Sequence, residues 1–426
     1  MDATLAADAR ATLLEQQLTL DEKISLLHGH TPILWHERPA DFIWTSGYVA
    51  GVPRLGIPAQ RQTDAGLGVT NPTMKDASLG STVLPSGLAA ASTWNPELAR
   101  EGGAMLGLEA HQFGFNVVLA PGANLTRDPR GGRNFEYAGE DPLLAGTIAG
   151  NVIAGIQSQD EIASLKHYVL NNQETGRFIY DVQIDESAAR ESDLLAFEIA
   201  VETGAPGSVM CSYNKVWTVY ACENAGLLNT TLKGDWAWPG FVMSDWGGTH
   251  STETAAINGL DQEDGEEFDG KSYFDAPLAK AVQAGTVPQA RFDDMVHRIL
   301  RTLFEKGVMD HPATPTNVDY EADAAASQRV AEQAIVLLKN TNAVLPLAKT
   351  LERVAIIGGH SDVGILGGGG GSSEVSAHGG VALRIRHTDG DFDVSENYLG
   401  LGDVQQHEVS TRRQRLTLSP RGLLFF

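Results

Sequence analysis

Short β-prone runs that end in polar residues, each followed by a loop and then a helical stretch, recur along the first part of the chain. Ile57-Pro58-Ala59 leads into Arg61-Gln62-Thr63-Asp64. Phe115-Asn116-Val117-Val118-Leu119-Ala120 leads into Pro121-Gly122-Ala123-Asn124. Ala163-Ser164-Leu165 runs into Lys166-His167, Ser208-Val209-Met210-Cys211 into Ser212-Tyr213-Asn214, and Phe241-Val242-Met243 into Ser244-Asp245-Trp246. Strands alternating with helices imply a parallel sheet with helical crossovers. The 426 residues suffice for a barrel-sized domain plus part of another. The expected class is therefore α/β: a (β/α)8-type barrel followed by the start of an α/β sandwich domain, with a doubly wound open sheet as the alternative. Both architectures gather the carboxyl ends of the strands on one face, so the polar clusters read as one site assembled from distant segments.

The remaining rhythm sets the boundaries. Residues 4–28 read as helix, with a second helix start at Asp21-Glu22-Lys23-Ile24, whose acids suit a first turn. Residues 282–304 are helical with a break at Val287-Pro288, and Pro312, Pro315 and Asn317 mark a linker over 308–320. A helix from Ala322 to Leu338 follows, then a strand from Arg353 to Gly359 entering a glycine turn. The expected division is a barrel over 1–305, a linker over 306–330, the N-terminal part of a sandwich domain over 331–382 and an unassigned tail over 383–426. The glycine run Gly367 to Gly371, followed by Ser372-Ser373, lacks the lysine of a phosphate loop and the spacing of a dinucleotide fingerprint, so it reads as a close-approach backbone loop. The tail from Leu383 holds neither alanine nor lysine and loses the strand–helix rhythm. It reads as out-of-frame translation or as an unusual native segment.

Charge and composition narrow the partners. A net charge of −23 repels nucleic acid and anionic lipid but does not penalise a neutral sugar. No run approaches the roughly 18 apolar residues of a membrane span. The two cysteines, Cys211 and Cys222, have no zinc spacing and imply no disulfide framework; at strand ends they read as small buried thiols. The first twenty residues carry acids and lack a basic-then-apolar signal pattern, so the expected location is cytoplasmic, or exported if the start is misassigned.

Asp245, just past a buried strand, is placed where a rigid carboxylate faces a barrel mouth, and a retaining glycosidase needs an ionised carboxylate as nucleophile. Its competing reading is a helix N-cap. Trp246 offers an aromatic face to a sugar ring. Lys166-His167 can donate to sugar hydroxyls and favour a neighbouring carboxylate, or be a surface lysine beside a core histidine. The stretch Asn124 to Tyr137 is dense in arginine, glycine and acid, and most of its charges are expected to pair with one another.

Taken together, Gly132-Arg133-Asn134-Phe135-Glu136 with Glu140-Asp141-Pro142, then Lys166-His167, Asn171-Asn172-Gln173-Glu174-Thr175, Ser212-Tyr213-Asn214 and Ser244-Asp245-Trp246, resemble glycoside hydrolase family 3 in order and spacing, over about residues 10–380. The resemblance implies a retaining β-glycosidase of the β-glucosidase type, releasing terminal β-D-glucosyl or β-xylosyl residues from glycosides and oligosaccharides. It implies Asp245 as catalytic nucleophile, with Asp64, Arg133, Lys166, His167, Arg177, Tyr213 and Trp246 binding the sugar. Neither a metal nor an organic cofactor is implied, and the expected partner is a small carbohydrate, with no nucleic acid and no membrane. Two departures stand out. After Asp64 the run is Ala65-Gly66-Leu67-Gly68-Val69-Thr70, where the family often has Asp-Gly-Pro-x-Gly followed by an arginine. The family's acid/base glutamate lies in the domain after the barrel, and likeness fades near Val381; Glu374 and Glu396 match no motif, so no acid/base is assigned. The alternative expectation is a truncated, largely inactive sugar-binding fragment.

Overall fold

In the computed structural model, each β-prone run of the first 250 residues or so contributes a strand. The described residues are 2–32, 34–36, 38–39, 42–70, 80–348, 350, 372, 375–378, 385–387 and 390–392. The strands are β1 (Gly29–His30), β2 (Gly47–Val49), β3 (Gln60–Asp64), β4 (Val117–Leu119), β5 (Ile162–Tyr168), β6 (Asp181–Val182), β7 (Ser208–Cys211), β8 (Lys215–Val216), β9 (Val219–Tyr220) and β10 (Phe241–Ser244). Seven form one sheet in the order β1-β2-β3-β4-β5-β7-β10. From β3 onward every neighbour is parallel, with Asp64 beside Leu119, and with Ser208 beside both Ser164 and Phe241. The ring is closed by single parallel bridges, Met243 to Gln262 and Glu263 to His28, so the sheet curls into a barrel.

One strand departs from the parallel expectation. β2 runs antiparallel to both β1 and β3. The short connection from Val49 to Gln60 explains this: antiparallel neighbours need only a short link, whereas parallel ones need a crossover of a dozen or more residues. β1 therefore still points the same way as β3, and its carboxyl end opens onto the same face.

The helices are α1 (Ala7–Glu15), α2 (Leu20–Ser25), α3 (Gly87–Ser92), α4 (Pro96–Phe113), α5 (Pro142–Gln157), α6 (Glu186–Arg190), α7 (Asp193–Gly204), α8 (Glu253–Asn258), α9 (Ala276–Ala284), α10 (Gln289–Glu305) and α11 (Tyr320–Gln333). Within 4–28 the second helix start expected at Asp21-Glu22-Lys23-Ile24 comes one residue earlier, at Leu20, because Thr19 and Glu22 form a reciprocal capping box that starts α2. α4 and α5 begin with Asn95-Pro96 and Asp141-Pro142, a capping side chain followed by a proline whose missing N–H costs nothing at that position. These two helices pack closely: a Cβ on Gly103 would lie 2.3 Å from the Val152 carbonyl oxygen, so only glycine fits there. The break between α9 and α10 falls at the expected Val287-Pro288. Among the described residues, no helix is long and apolar enough to cross a membrane.

The cysteine expectation is overturned. Cys211 and Cys222 are disulfide-bonded, with Cα atoms 5.2 Å apart. The antiparallel pair β8–β9 turns the chain back on itself and returns Cys222 to the end of β7.

The chain divides into two compact units, Met1–Ile335 with Gly367–Ser376, and Val336–Leu366 with Ala377–Phe426. The boundary expected at residue 331 falls inside α11. In the second unit, strands Ile385–His387 and Gly390–Phe392 pair antiparallel. The strand expected at 353–359, the run Gly367–Gly371, and Glu374 and Glu396 lie outside the described residues.

Candidate active site

The carboxyl ends of five parallel strands deliver the polar groups to one place. Asp245 follows β10 and is buried. Its Oδ1 accepts the Tyr213 hydroxyl at 2.6 Å and the Trp246 backbone N–H at 2.8 Å. Its Oδ2 is buried and, among the described residues, has no hydrogen-bond partner; His167 Nε2 lies 3.8 Å away. The N-cap reading fails, because the next helix, α8, starts only at Glu253. A carboxylate with one oxygen anchored and the other bare is set up to present that second oxygen to a ligand.

Burial pushes the Asp245 carboxyl above its ordinary range. The Tyr213 hydrogen bond, the charges of Arg133 and Arg177 and the Trp246 N–H all work against this and favour the anion. Tyr213 itself is held protonated, since burial and the nearby Asp245 charge raise its phenol well above the usual value. It can therefore only donate to the carboxylate.

β5 supplies two groups. Lys166 Nζ, fully buried, lies 3.4 Å from Oδ1 of Asp64 at the end of β3. His167 is pinned through its backbone, with its N–H donating to Asn124 Oδ1 at 2.8 Å and its carbonyl accepting from Asn124 Nδ2 at 3.0 Å. Its ring Nδ1 sits 3.2 Å from the Tyr137 hydroxyl. Burial and the charges of Arg133, Lys166 and Arg177 hold this imidazole well below its ordinary pKa, so it is neutral.

The loops complete the wall. Arg133 donates to Glu136 and, at 3.2 Å, to the Ser372 hydroxyl. Arg177 pairs with Glu174 at 2.8 Å and lies 4.5 Å from the Tyr213 ring centroid. The indole N–H of Trp246 donates to the Ser46 carbonyl at 3.2 Å, and Ser46 Oγ accepts from the Asp64 N–H at 3.1 Å.

Thus Tyr213, Trp246 and His167 gather at Asp245, with Arg177 on the Tyr213 ring, the Asp64–Lys166 pair joins them through Ser46, and the charge of Arg133 reaches both His167 and Asp245. The charges of the 124–137 stretch pair largely with local partners, as in Arg130–Asp128 and Arg133–Glu136. Sequence reasoning did not single out the supports: Ser46, Asn124 as a backbone clamp, Tyr137 behind His167, and Phe178, whose ring lies 4.5 Å from that of Tyr213. Asn124 ends a β-prone run and had a readable signal; Ser46 and Phe178 had none.

Known proteins resemble this chain in sequence and in fold. Residues 49–302 match the glycosyl hydrolase family 3 N-terminal domain. The chain is 34% identical over 378 residues to a probable beta-glucosidase H of Aspergillus flavus, covering 87% of this chain and 43% of the relative. It is 36% identical over 350 residues to the thermostable beta-glucosidase B of Acetivibrio thermocellus, covering 80% of this chain and 44% of that protein. Beta-glucosidase 3B of Thermotoga neapolitana, solved with alpha-D-glucose, superposes with a TM-score of 0.79 at 33% identity, over 86% of this chain and 52% of that one. The chain thus spans less than half the length of these two sequence relatives. With the matched segment running from β2 into α10 and carrying every residue of the site but Ser46 and Ser372, the chain belongs to glycosyl hydrolase family 3.

Proposed function

We propose that this chain carries the glycone-binding and nucleophilic half of a retaining β-glucosidase acting on terminal β-D-glucosyl residues. The observation that carries the reading is the asymmetry of Asp245: Oδ1 is held by Tyr213 and Trp246, while Oδ2 is buried and bare. In this reading Oδ2 attacks the anomeric carbon, a glycosyl ester forms as the aglycone leaves, and water then cleaves the ester with a second inversion. Asp64 and Lys166 form a buried charged pair suited to gripping adjacent sugar hydroxyls, each acting as acceptor or donor. Neutral His167 adds a group that can donate or accept, Arg133 adds a donor, and Trp246 offers its face to the sugar's C–H surface. Arg177 acts through Tyr213 and through its charge on Asp245. The glucose complex of the Thermotoga neapolitana relative supports glucose as the glycone.

The test is covalent trapping with a 2-deoxy-2-fluoro-β-glucoside bearing an activated leaving group, followed by peptide mass spectrometry. The expected adduct is on Asp245, absent in Asp245→Asn. An adduct on another carboxylate overturns the assignment.

A further inference from the structure

Beside the sugar site, but sharing none of its residues, lies a group of side chains that sequence spacing did not connect. His28 and His30 flank Gly29 around β1, and Glu266 and Glu267 follow the segment that closes the barrel against β1. His28 Nδ1 lies 3.0 Å from Glu266 Oε2, and His30 Nδ1 lies 3.1 Å from Glu266 Oε1. The potential ligand atoms of His28, His30 and Glu266 all fall within 4.8 Å of one another. Glu267 reaches the same point: its Oε1 is 3.0 Å from His30 Nδ1, while its Oε2 is fixed by the Thr31 N–H at 2.7 Å.

We propose that His28, His30 and Glu266, with Glu267 or water as fourth ligand, bind a divalent transition-metal ion of the zinc class. Two imidazole nitrogens and a carboxylate select zinc, nickel or copper over magnesium or calcium, which favour all-oxygen shells. His28 Nδ1 and His30 Nδ1 approach different oxygens of the one Glu266 carboxylate, at 3.0 and 3.1 Å, and with one donor atom taken from each residue the three lie within 4.8 Å; the edge of a zinc tetrahedron is about 3.3 Å for ligands at roughly 2.0 Å, so binding would draw the donors together. The far nitrogen of His28, Nε2, has the Asp275 carboxylate 3.8 Å away, too far for a hydrogen bond but near enough for its charge to act on the ring. The ring of His30 is fixed by stacking on Trp35, with centroids 4.2 Å apart. All three ligand side chains are only partly buried, so an ion can enter from solvent, and the net charge of −23 favours its approach. The ion would tie the end of β1 to the segment starting at Gly265. That glycine is left-handed, and a Cβ on it would come within 2.3 Å of the Trp246 ring.

The competing account is a plain ion-pair cluster that holds protons and no metal. Zinc titration of the chelator-stripped 426-residue chain against a chromophoric competitor separates the two. The expected result is saturable one-to-one binding that magnesium and calcium do not displace. His28→Gln, His30→Gln and Glu266→Gln should each weaken it by about tenfold or more, whereas Asp275→Asn, whose carboxylate acts on His28 through charge alone, should weaken it less. His297→Gln, a histidine paired with Asp8 and Glu15 elsewhere, should leave it unchanged. Should a ligand variant fail to fold, cobalt loading of the unaltered chain decides: the intense visible bands of four-coordinate cobalt, with quenching of Trp35 emission, support the site. Binding that survives His28→Gln and Glu266→Gln, absence of one-to-one binding, or a six-coordinate cobalt spectrum overturns it.

Discussion

The chemistry of single residues here is set by what surrounds each carboxylate. Asp245 is balanced between burial, which raises its pKa, and Tyr213, Arg133 and Arg177, which lower it. Tyr213→Phe removes one of the groups favouring the anion, so the Asp245 pKa should rise. Because the nucleophile must be ionised, the acid limb of the kcat/KM profile should then move to higher pH, and a limb that stays put or moves down would contradict the role given to Tyr213. Asp64 and Tyr213 should also differ in binding. Asp64→Asn removes a charged hydrogen-bond partner and leaves Lys166 buried beside a neutral amide, an expected loss of about 1.5–3 kcal/mol, or roughly 10- to 150-fold in glucose affinity. Tyr213→Phe keeps its ring and should cost less. Calorimetry on both variants checks the order, and equal losses would count against Asp64 as a hydroxyl grip.

Elements matter here because they aim these residues. β10 delivers Asp245, and the start of β10 is fixed by Asp261, a fully buried carboxylate. Asp261 accepts from the Val242 N–H at 2.7 Å, from Lys233 at 2.7 Å and from Arg291 of α10 at 2.6 Å. Burial alone would raise its pKa, but the charges of Lys233 and Arg291 outweigh that and hold it below the ordinary carboxylate range. Asp261→Asn removes the carboxylate that pairs with both Arg291 and Lys233, whose own pKa burial lowers to about 7, and should cost about 3–5 kcal/mol of stability. Denaturant unfolding measures this; a loss under about 1 kcal/mol would show that α10 and β10 are held by apolar packing alone. Strand identity was readable at this scale, since Ser208–Cys211 and Phe241–Ser244 lie almost where the β-prone runs ended. The reversal of β2 was not, because direction depends on connection length and on which neighbour a strand finds.

At the scale of the whole molecule, what distinguishes substrates is protonation of the leaving group, for which no acid/base residue is assigned among the described residues. General acid catalysis typically contributes about 10²- to 10⁴-fold. If the 426-residue chain acts without such an acid, a nitrophenyl β-glucoside, whose leaving group needs little protonation, should be cleaved far faster than cellobiose, which needs it fully. Comparable rates on the two substrates would mean that an acid is present within the chain. Side-by-side kinetics on one preparation, with Asp245→Asn as the blank, make the comparison direct.

The sequence by itself determined the strand ends and the residue types carried there. The burial period and the polar residue closing each run are local properties of the chain, so Asp64, Lys166, His167, Tyr213 and Asp245 could be named in advance. Their roles came from the resemblance, and their convergence from the closed barrel. Tertiary structure alone decided which oxygen of Asp245 is bare, that Asn124 clamps His167 from both sides, that Cys211 meets Cys222, and that His28 and His30 face Glu266 across 236 residues or more. Those are contacts between segments far apart in sequence or joined by a turn of unreadable geometry. Such contacts depend on barrel closure and loop path, which no local pattern of residues encodes.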